Sequence, residues 1–385
     1  MVVRKDYLDE SARREIAARR LVALRLSGEP CSSPQEVVGW LAAVQAQDFG
    51  PAKWAIAQRT HIATEADLDR TYAAGHILRT HLLRPTWHFV LPADIHWLLT
   101  ATAVRVAART AHRMRQLDLD ERTLARAADV ISGALEGNVA LTRRELAAAL
   151  TAAGIACEGQ RLPYVLMYAE LDARLCSGPP RGAQHTYVAL ATRVPEAHPL
   201  DRDEALAELA GRYFRSHGPA TDRDFAGWAS LTLAEARRGR EAARLHLQRD
   251  VFADGVYWSH QAVLAGSAPA SSPASAVRLL HSYDEYIMGY TESKHVLVTA
   301  GSTPAATPSF SALVVMLGGR LAGYWRRRTA RGVLGIEVDL KQRLDEERRE
   351  ALVGEARRYA AYAGASAVKL TTFDGKEIAR WNTEE

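Results

Sequence analysis

Thr142-Arg143-Arg144-Glu145, followed by Leu146 and Leu150, is the stretch that decides the fold. A threonine with a glutamate three residues on forms a capping box, in which each side chain satisfies an orphan amide of the other. The leucines four apart then share one helix face, and Gly154 supplies a stop. Upstream, an amphipathic helix is expected over about Asp120 to Leu135. Downstream, a third helix is expected from about Gly159 to Leu175, with Leu162, Val165, Leu166, Ala169 and Leu175 on its apolar face. Ser177-Gly178-Pro179-Pro180-Arg181-Gly182 breaks that helix, and Thr186-Tyr187-Val188-Ala189-Leu190 has the β-rich composition of a strand. Three helices followed by a hairpin read as a winged helix.

The capping pattern recurs on both sides. Ser33-Pro34-Gln35-Glu36 follows a helical stretch from Glu10 to Leu26, and Thr221-Asp222-Arg223-Asp224 follows one from Asp203 to Ser216. Helix, short turn and capped helix, three times over, argues for three tandem units. They are expected over residues 1–117, 118–197 and 198–260. Past about Tyr257 the texture changes. Ala265 to Ala276 reads as a loop or linker. Leu313 to Leu317 and Leu321 to Trp325 flank a Gly-Gly turn as a hairpin. A strand at Gly335 to Leu340, a charged helix from Gln342 to Ala363 and a strand at Val368 to Leu370 complete residues 261–385. The expected class is therefore α+β, with three winged-helix units and a small β-barrel-like C-terminal domain.

Composition limits the function. The chain has 385 residues, 48% hydrophobic and 24% charged, ordinary for a globular protein of two or three domains. No apolar run is long enough for a membrane span, and the charged start at Met1 to Tyr7 does not read as a signal peptide. A cytoplasmic location is expected. Cys31, Cys157 and Cys176 have no metal-ligand spacing and read as free thiols. Phosphate-loop, zinc-protease, nucleophile-elbow and dinucleotide fingerprints are all missing. The net charge of +4 says little, but its distribution says more. Six arginines face one acid, Asp94, between Arg79 and Arg115, and five arginines with no acid lie between Arg320 and Arg331. Such strips point to a polyanion touching particular surfaces.

Three stretches could carry chemistry. Gln45 and Gln47 lie two apart at the end of the Ser33-capped helix. On a helix they would face different ways, but an unwound segment into Asp48-Phe49-Gly50-Pro51 would let both amides point into one cleft. A polar helix end capped by its own side chains is the competing reading. In Arg84-Pro85-Thr86-Trp87-His88-Phe89-Val90, alternation suits a wing strand, with His88 either a packing residue or a functional one. Arg105, Arg109 and Arg113 then recur every four residues as a basic stripe. His281 to Tyr290 sets Asp284 and Glu285 among three tyrosines, a buried network or a pocket wall. Tyr324-Trp325-Arg326-Arg327-Arg328 reads as an aromatic-basic arm, either a minor-groove probe or a strand end with snorkelling arginines.

Taken together, these pieces resemble the AlkZ-like (YcaQ-related) winged-helix DNA glycosylases over nearly the whole chain. The resemblance rests on Val44-Gln45-Ala46-Gln47-Asp48, which matches the family's Gln-x-Gln element. Arg84 to Val90, Ser216-His217-Gly218-Pro219-Ala220-Thr221, and Tyr283-Asp284-Glu285-Tyr286 with Gly289-Tyr290 add to it. It implies a concave DNA channel and hydrolytic excision of cationic N7-alkylated purines from double-stranded DNA, bulky adducts and crosslinks included. Gln45 and Gln47 would be the catalytic pair, with His88, Asp284 and Tyr286 as supporting candidates. Arg84, Arg105, Arg109, Arg113, Tyr324, Trp325, Arg326, Arg327 and Arg328 would contact DNA. No metal or organic cofactor is implied, and a monomer is expected. Lys53, the lysine nearest the motif, is expected to be a phosphate contact or surface residue, so the product would be an abasic site without a lyase step. A non-catalytic DNA binder or transcription regulator, and a protein-interaction module, are the competing readings.

Overall fold

The computed structural model describes residues 8–61, 63–196, 199–253, 255–265, 276–298, 312–330 and 332–382. Most of the expected linker, Arg331 and the start of the chain lie outside them.

Helix α1 (Glu10–Ala23) precedes the first unit, which runs α2 (Pro34–Leu41), β1 (Val44–Gln45), α3 (Phe49–Ala57), α4 (Glu65–Ala74), β2 (Leu78–Leu82) and β3 (Thr86–Val90). The long α5 (Ile95–Gln116) leads to α6 (Glu121–Ala134), β4 (Leu141–Thr142), α7 (Arg143–Ala152), α8 (Arg161–Leu171), β5 (Leu175–Ser177) and β6 (Thr186–Ala189), with a single turn α9 (Leu190–Arg193) after it. A third run has α10 (Arg202–His217), α11 (Asp222–Ala229), α12 (Leu233–Ala242), β7 (Leu247–Phe252) and β8 (Gly255–His260), then the short α13 (Gln261–Ala265). The sheets repeat as well. Strand orders are β1-β3-β2 and β4-β6-β5, while Ala220 bridges Trp258 on β8 beside β7. In each run the residues just before the second helix pair with the last strand of the hairpin.

That register corrects the first unit. The Ser33-capped helix α2 is the leading helix of its run, whereas the Thr142 and Thr221 boxes open second helices. The first unit's counterpart to Thr142 is Asp48, the N-cap of α3, whose carboxylate makes no capping bond. Helix α1 belongs elsewhere, because its Arg20 reaches the Pro219 carbonyl (2.9 Å) and the Ser293 hydroxyl (2.5 Å). Helix α8 also stops earlier than expected, and Leu175 opens β5 after the positive φ of Ala173.

The C-terminal part contains β9 (Val277–Leu280), the one-turn α14 (Glu285–Met288), β10 (Val314–Leu317), β11 (Arg320–Ala330), β12 (Val333–Leu340), α15 (Glu346–Tyr362), β13 (Ala367–Thr372) and β14 (Glu377–Asn382). It is not a barrel. Six strands lie in the order β14-β13-β12-β11-β10-β9, with β9 and β14 at opposite edges. Strands β12 and β13 are parallel, joined through α15, and a parallel pair needs such a crossover. Leu352, Ala356, Tyr359 and Ala360 of α15 are buried, and Tyr359 meets Trp325 edge-on at 5.0 Å. A helix laid on the sheet buries one face without closure. One continuous core runs from Leu21 to Leu370 through all these parts.

Candidate active site

Helix α2 ends because Ala42 takes a positive φ of 65°. The chain leaves the helix there, and Gln45 enters β1 opposite His88. Gln45 is buried, while Gln47, past the end of the strand, is exposed. The side-chain carbonyl of Gln45 accepts from Arg84 Nη2 at 2.6 Å, and the other terminal nitrogen of Arg84 donates to the Trp228 carbonyl at 3.0 Å. Guanidinium nitrogens only donate, so this contact fixes the Gln45 carbonyl toward Arg84 and leaves its NH₂ on the other arm of the amide. Gln47 Oε1 accepts a long bond, 3.4 Å, from the Trp87 backbone N–H.

Beneath the pair lies Glu285, almost fully buried. One of its oxygens accepts the Gln45 backbone N–H (2.9 Å), and the other accepts the Trp228 indole N–H (2.8 Å) with His217 Nε2 at 3.5 Å. Burial works to raise its pKa, but the N–H of His217 and the charge of Arg84 outweigh it and bring the carboxyl down to about 2. His88 is fully buried, and that burial, with Arg84 alongside, lowers its pKa to about 3. The neutral ring donates from Nδ1 to the Thr86 carbonyl (2.9 Å) and presents Nε2 to Arg84 at 3.3 Å. The cluster is thus a buried carboxylate and a half-buried guanidinium supporting a pair of amides, one held and one loose.

Other expected residues lie apart from this cluster. Asp284 caps α14 and takes both terminal nitrogens of Arg59 at 2.8 Å, with both side chains fully buried. Tyr286 is buried and donates to the Gly319 carbonyl at 2.8 Å. Both side chains are bonded within the core. Glu285 between them reaches Gln45, and residue-type reasoning missed it, together with Trp228 and His217. Their signal was present in the quoted Ser216-His217 and Tyr283-to-Tyr286 stretches, but one helical turn decides which neighbour faces the site. Arg84 is held inside instead of free for phosphate. Arg105 pairs with Glu235 (3.5 Å) and Arg113 binds Gln160 (2.6 Å), while Arg109 is exposed with no ion pair among the described residues.

The aromatic-basic arm is also different from the expectation. Trp325 is buried and donates to the Leu280 carbonyl at 2.9 Å, so it is core and no wedge. Tyr324 is half-buried near Lys341. Arg326 pairs with Glu337 (2.5 Å), Arg327 bonds the Tyr359 hydroxyl (2.6 Å), and Arg328 is exposed with Glu337 at 3.9 Å. Lys53 is buried and ion-paired to Asp69 (2.7 Å) and Glu65 (2.9 Å), not on the surface. The three cysteines are free, and no metal-binding cluster occurs among the described residues. No helix among them is long and apolar enough to cross a membrane.

The profile of the DNA glycosylase AlkZ-like family matches residues 38–362, spanning everything from the Gln-x-Gln turn to α15. The chain belongs to the AlkZ-like DNA glycosylase family. An interstrand DNA cross-link repair glycosylase of Streptomyces sahachiroi is 26% identical over 335 residues, 81% of this chain and 87% of that protein. The solved structure of Streptomyces sahachiroi DNA glycosylase AlkZ superposes with a TM-score of 0.78 at 24% identity, covering 93% of this chain and 98% of that one. As an AlkZ-like DNA glycosylase the chain is an enzyme, which leaves the regulator and scaffold readings without support.

Proposed function

We propose that the chain is a monofunctional glycosylase that hydrolyses the N-glycosidic bond of cationic N7-alkylated purines in duplex DNA, bulky adducts and crosslinks included. The three helix–helix–hairpin runs act as tandem winged helices presenting the lesion to Gln45 and Gln47. The observation that carries this reading is the support under an amide pair that contains no strong base. N7-alkylguanine already carries positive charge, so the base leaves neutral without a general acid. What remains is to place a water under C1′ and to stabilise the developing oxocarbenium. With its carbonyl committed to Arg84, Gln45 holds the water oxygen through its NH₂, and the loosely held carbonyl of Gln47 orients the water proton and offers partial negative charge. Glu285 offsets the charge of Arg84 below them, so the cluster adds no net positive charge beside the cationic sugar. His88 is neutral and serves as a spacer between Thr86 and Arg84. With Lys53 committed to two carboxylates, no lysine near the motif is available for a Schiff base.

The deciding measurement is single-turnover release of N7-methylguanine by the native chain beside Gln45→Ala and Gln47→Ala, with uracil in the same duplex context as control. Release that drops by about a hundredfold in both variants, with uracil untouched, is expected. Release of uracil at a comparable rate, or a borohydride-trapped adduct, overturns the reading.

A further inference from the structure

Beside the Gln-x-Gln turn, a cleft of about 630 Å³ opens between the first and second helical runs. Two of its walls are bonded directly to the motif. Arg79 Nε donates to the Ala46 carbonyl at 3.0 Å, and the Trp87 backbone N–H is the one that reaches Gln47. Pockets of about 300–1,000 Å³ hold drug-sized molecules, so this space far exceeds what a methyl group needs. The interior surface is mostly apolar, with Arg79 laid across it. The half-buried Trp87 indole has the Arg79 guanidinium 4.4 Å above it and the His81 ring centroid 4.3 Å away, and the buried Tyr187 and Leu162 line the same space. The mouth is cationic. Arg143 and Arg144 line it, exposed and without ion pairs among the described residues, because the neighbouring Glu145 is taken up by Thr142 and by Arg181 at 2.7 Å.

We infer that this cleft receives the substituent on the damaged purine, a planar apolar group bearing hydrogen-bond acceptors, while Gln45 and Gln47 attend to the glycosidic bond. The inference rests on the glycosylase reading above. The planar group lies over the Arg79 guanidinium that is stacked on Trp87, beside Tyr187 and Leu162, and its acceptor atoms meet Arg143 and Arg144 at the mouth. The site therefore selects lesions by what hangs from N7, where the amide pair selects only for a cationic base.

The test uses two duplexes, one with N7-methylguanine and one with guanine carrying an acridine group tethered at N7. Gln184→Trp fills the cleft from an exposed hairpin residue that lines it and is not part of the core. Release of the acridine-linked base is expected to slow by about tenfold or more, with the methylated base unchanged within about twofold. Arg143→Ala/Arg144→Ala is expected to show the same split. Equal losses on both duplexes would mark the arginines as phosphate contacts and overturn the inference, as would no change on either. A native chain that releases the methylated base and not the acridine-linked one also overturns it, leaving the glycosylase reading intact. Failure on both duplexes removes the glycosylase reading and this inference with it.

Discussion

Gln45 depends on the single contact that sets its amide orientation. A lysine at position 84 would keep the charge but lose the planar fork that reaches both Gln45 and the Trp228 carbonyl. Arg84→Lys is therefore expected to slow single-turnover excision by about tenfold to a hundredfold, the scale of a misplaced reacting group. Affinity for undamaged duplex should stay within about threefold. A large loss of binding with an unchanged chemical step would return Arg84 to a phosphate role. At this scale the amide pair was legible as a candidate from its residue types, and its burial asymmetry was not. Asp284 and Glu285 are adjacent carboxylates in the sequence, and only the packing of Arg59 against one and Trp228 against the other separates them.

Among the elements, the boxes at Thr142 and Thr221 made the second helices readable, because reciprocal capping is written in four consecutive residues. The first unit lacks that device at Asp48, which is why Ser33 drew attention one helix too early. Strand β1 is two residues long, and β14 carries little apolar periodicity, so neither announces itself. The barrel expectation failed because strand composition does not say whether a helix or a partner strand covers the sheet. The stripe on α5 divides the same way. With Arg105 and Arg113 engaged, Arg109 is the member open to phosphate. Arg109→Gln should weaken duplex binding independently of sequence and reduce the slope of log affinity against log salt by about one. An unchanged slope would show that α5 does not face the backbone.

Over the whole molecule, buried titratable groups make stability one-sided in pH. His88 and His281 are fully buried, with pKa values held down to about 3 and about 4 by burial first, from the ordinary 6.5. Below pH 6.5 the unfolded chain binds protons that the folded chain refuses, so stability falls as pH drops toward 4. Each such histidine contributes a slope of up to about 1.4 kcal/mol per pH unit. Glu285 acts in the same direction lower down, its contribution present above about 4.5 and lost as pH falls toward 2. Thermal melts should show Tm falling steadily over the histidine window, and His281→Asn should flatten that fall. An equal slope in the variant would refute the assignment. None of this was legible in the sequence, because a histidine's composition does not reveal its burial.

The backbone amide of Gln45 is satisfied by a carboxylate 240 residues further along the chain. A nascent polypeptide on the ribosome can therefore fold its first helical run early and still hold an unfinished Gln-x-Gln turn. Synthesis must pass residue 285 before that turn has its anchor, so an interrupted translation product carries the Gln-x-Gln element without the support that orients it. Incomplete chains released near damaged DNA would be silent, and competence would arrive only when the two halves of the molecule meet.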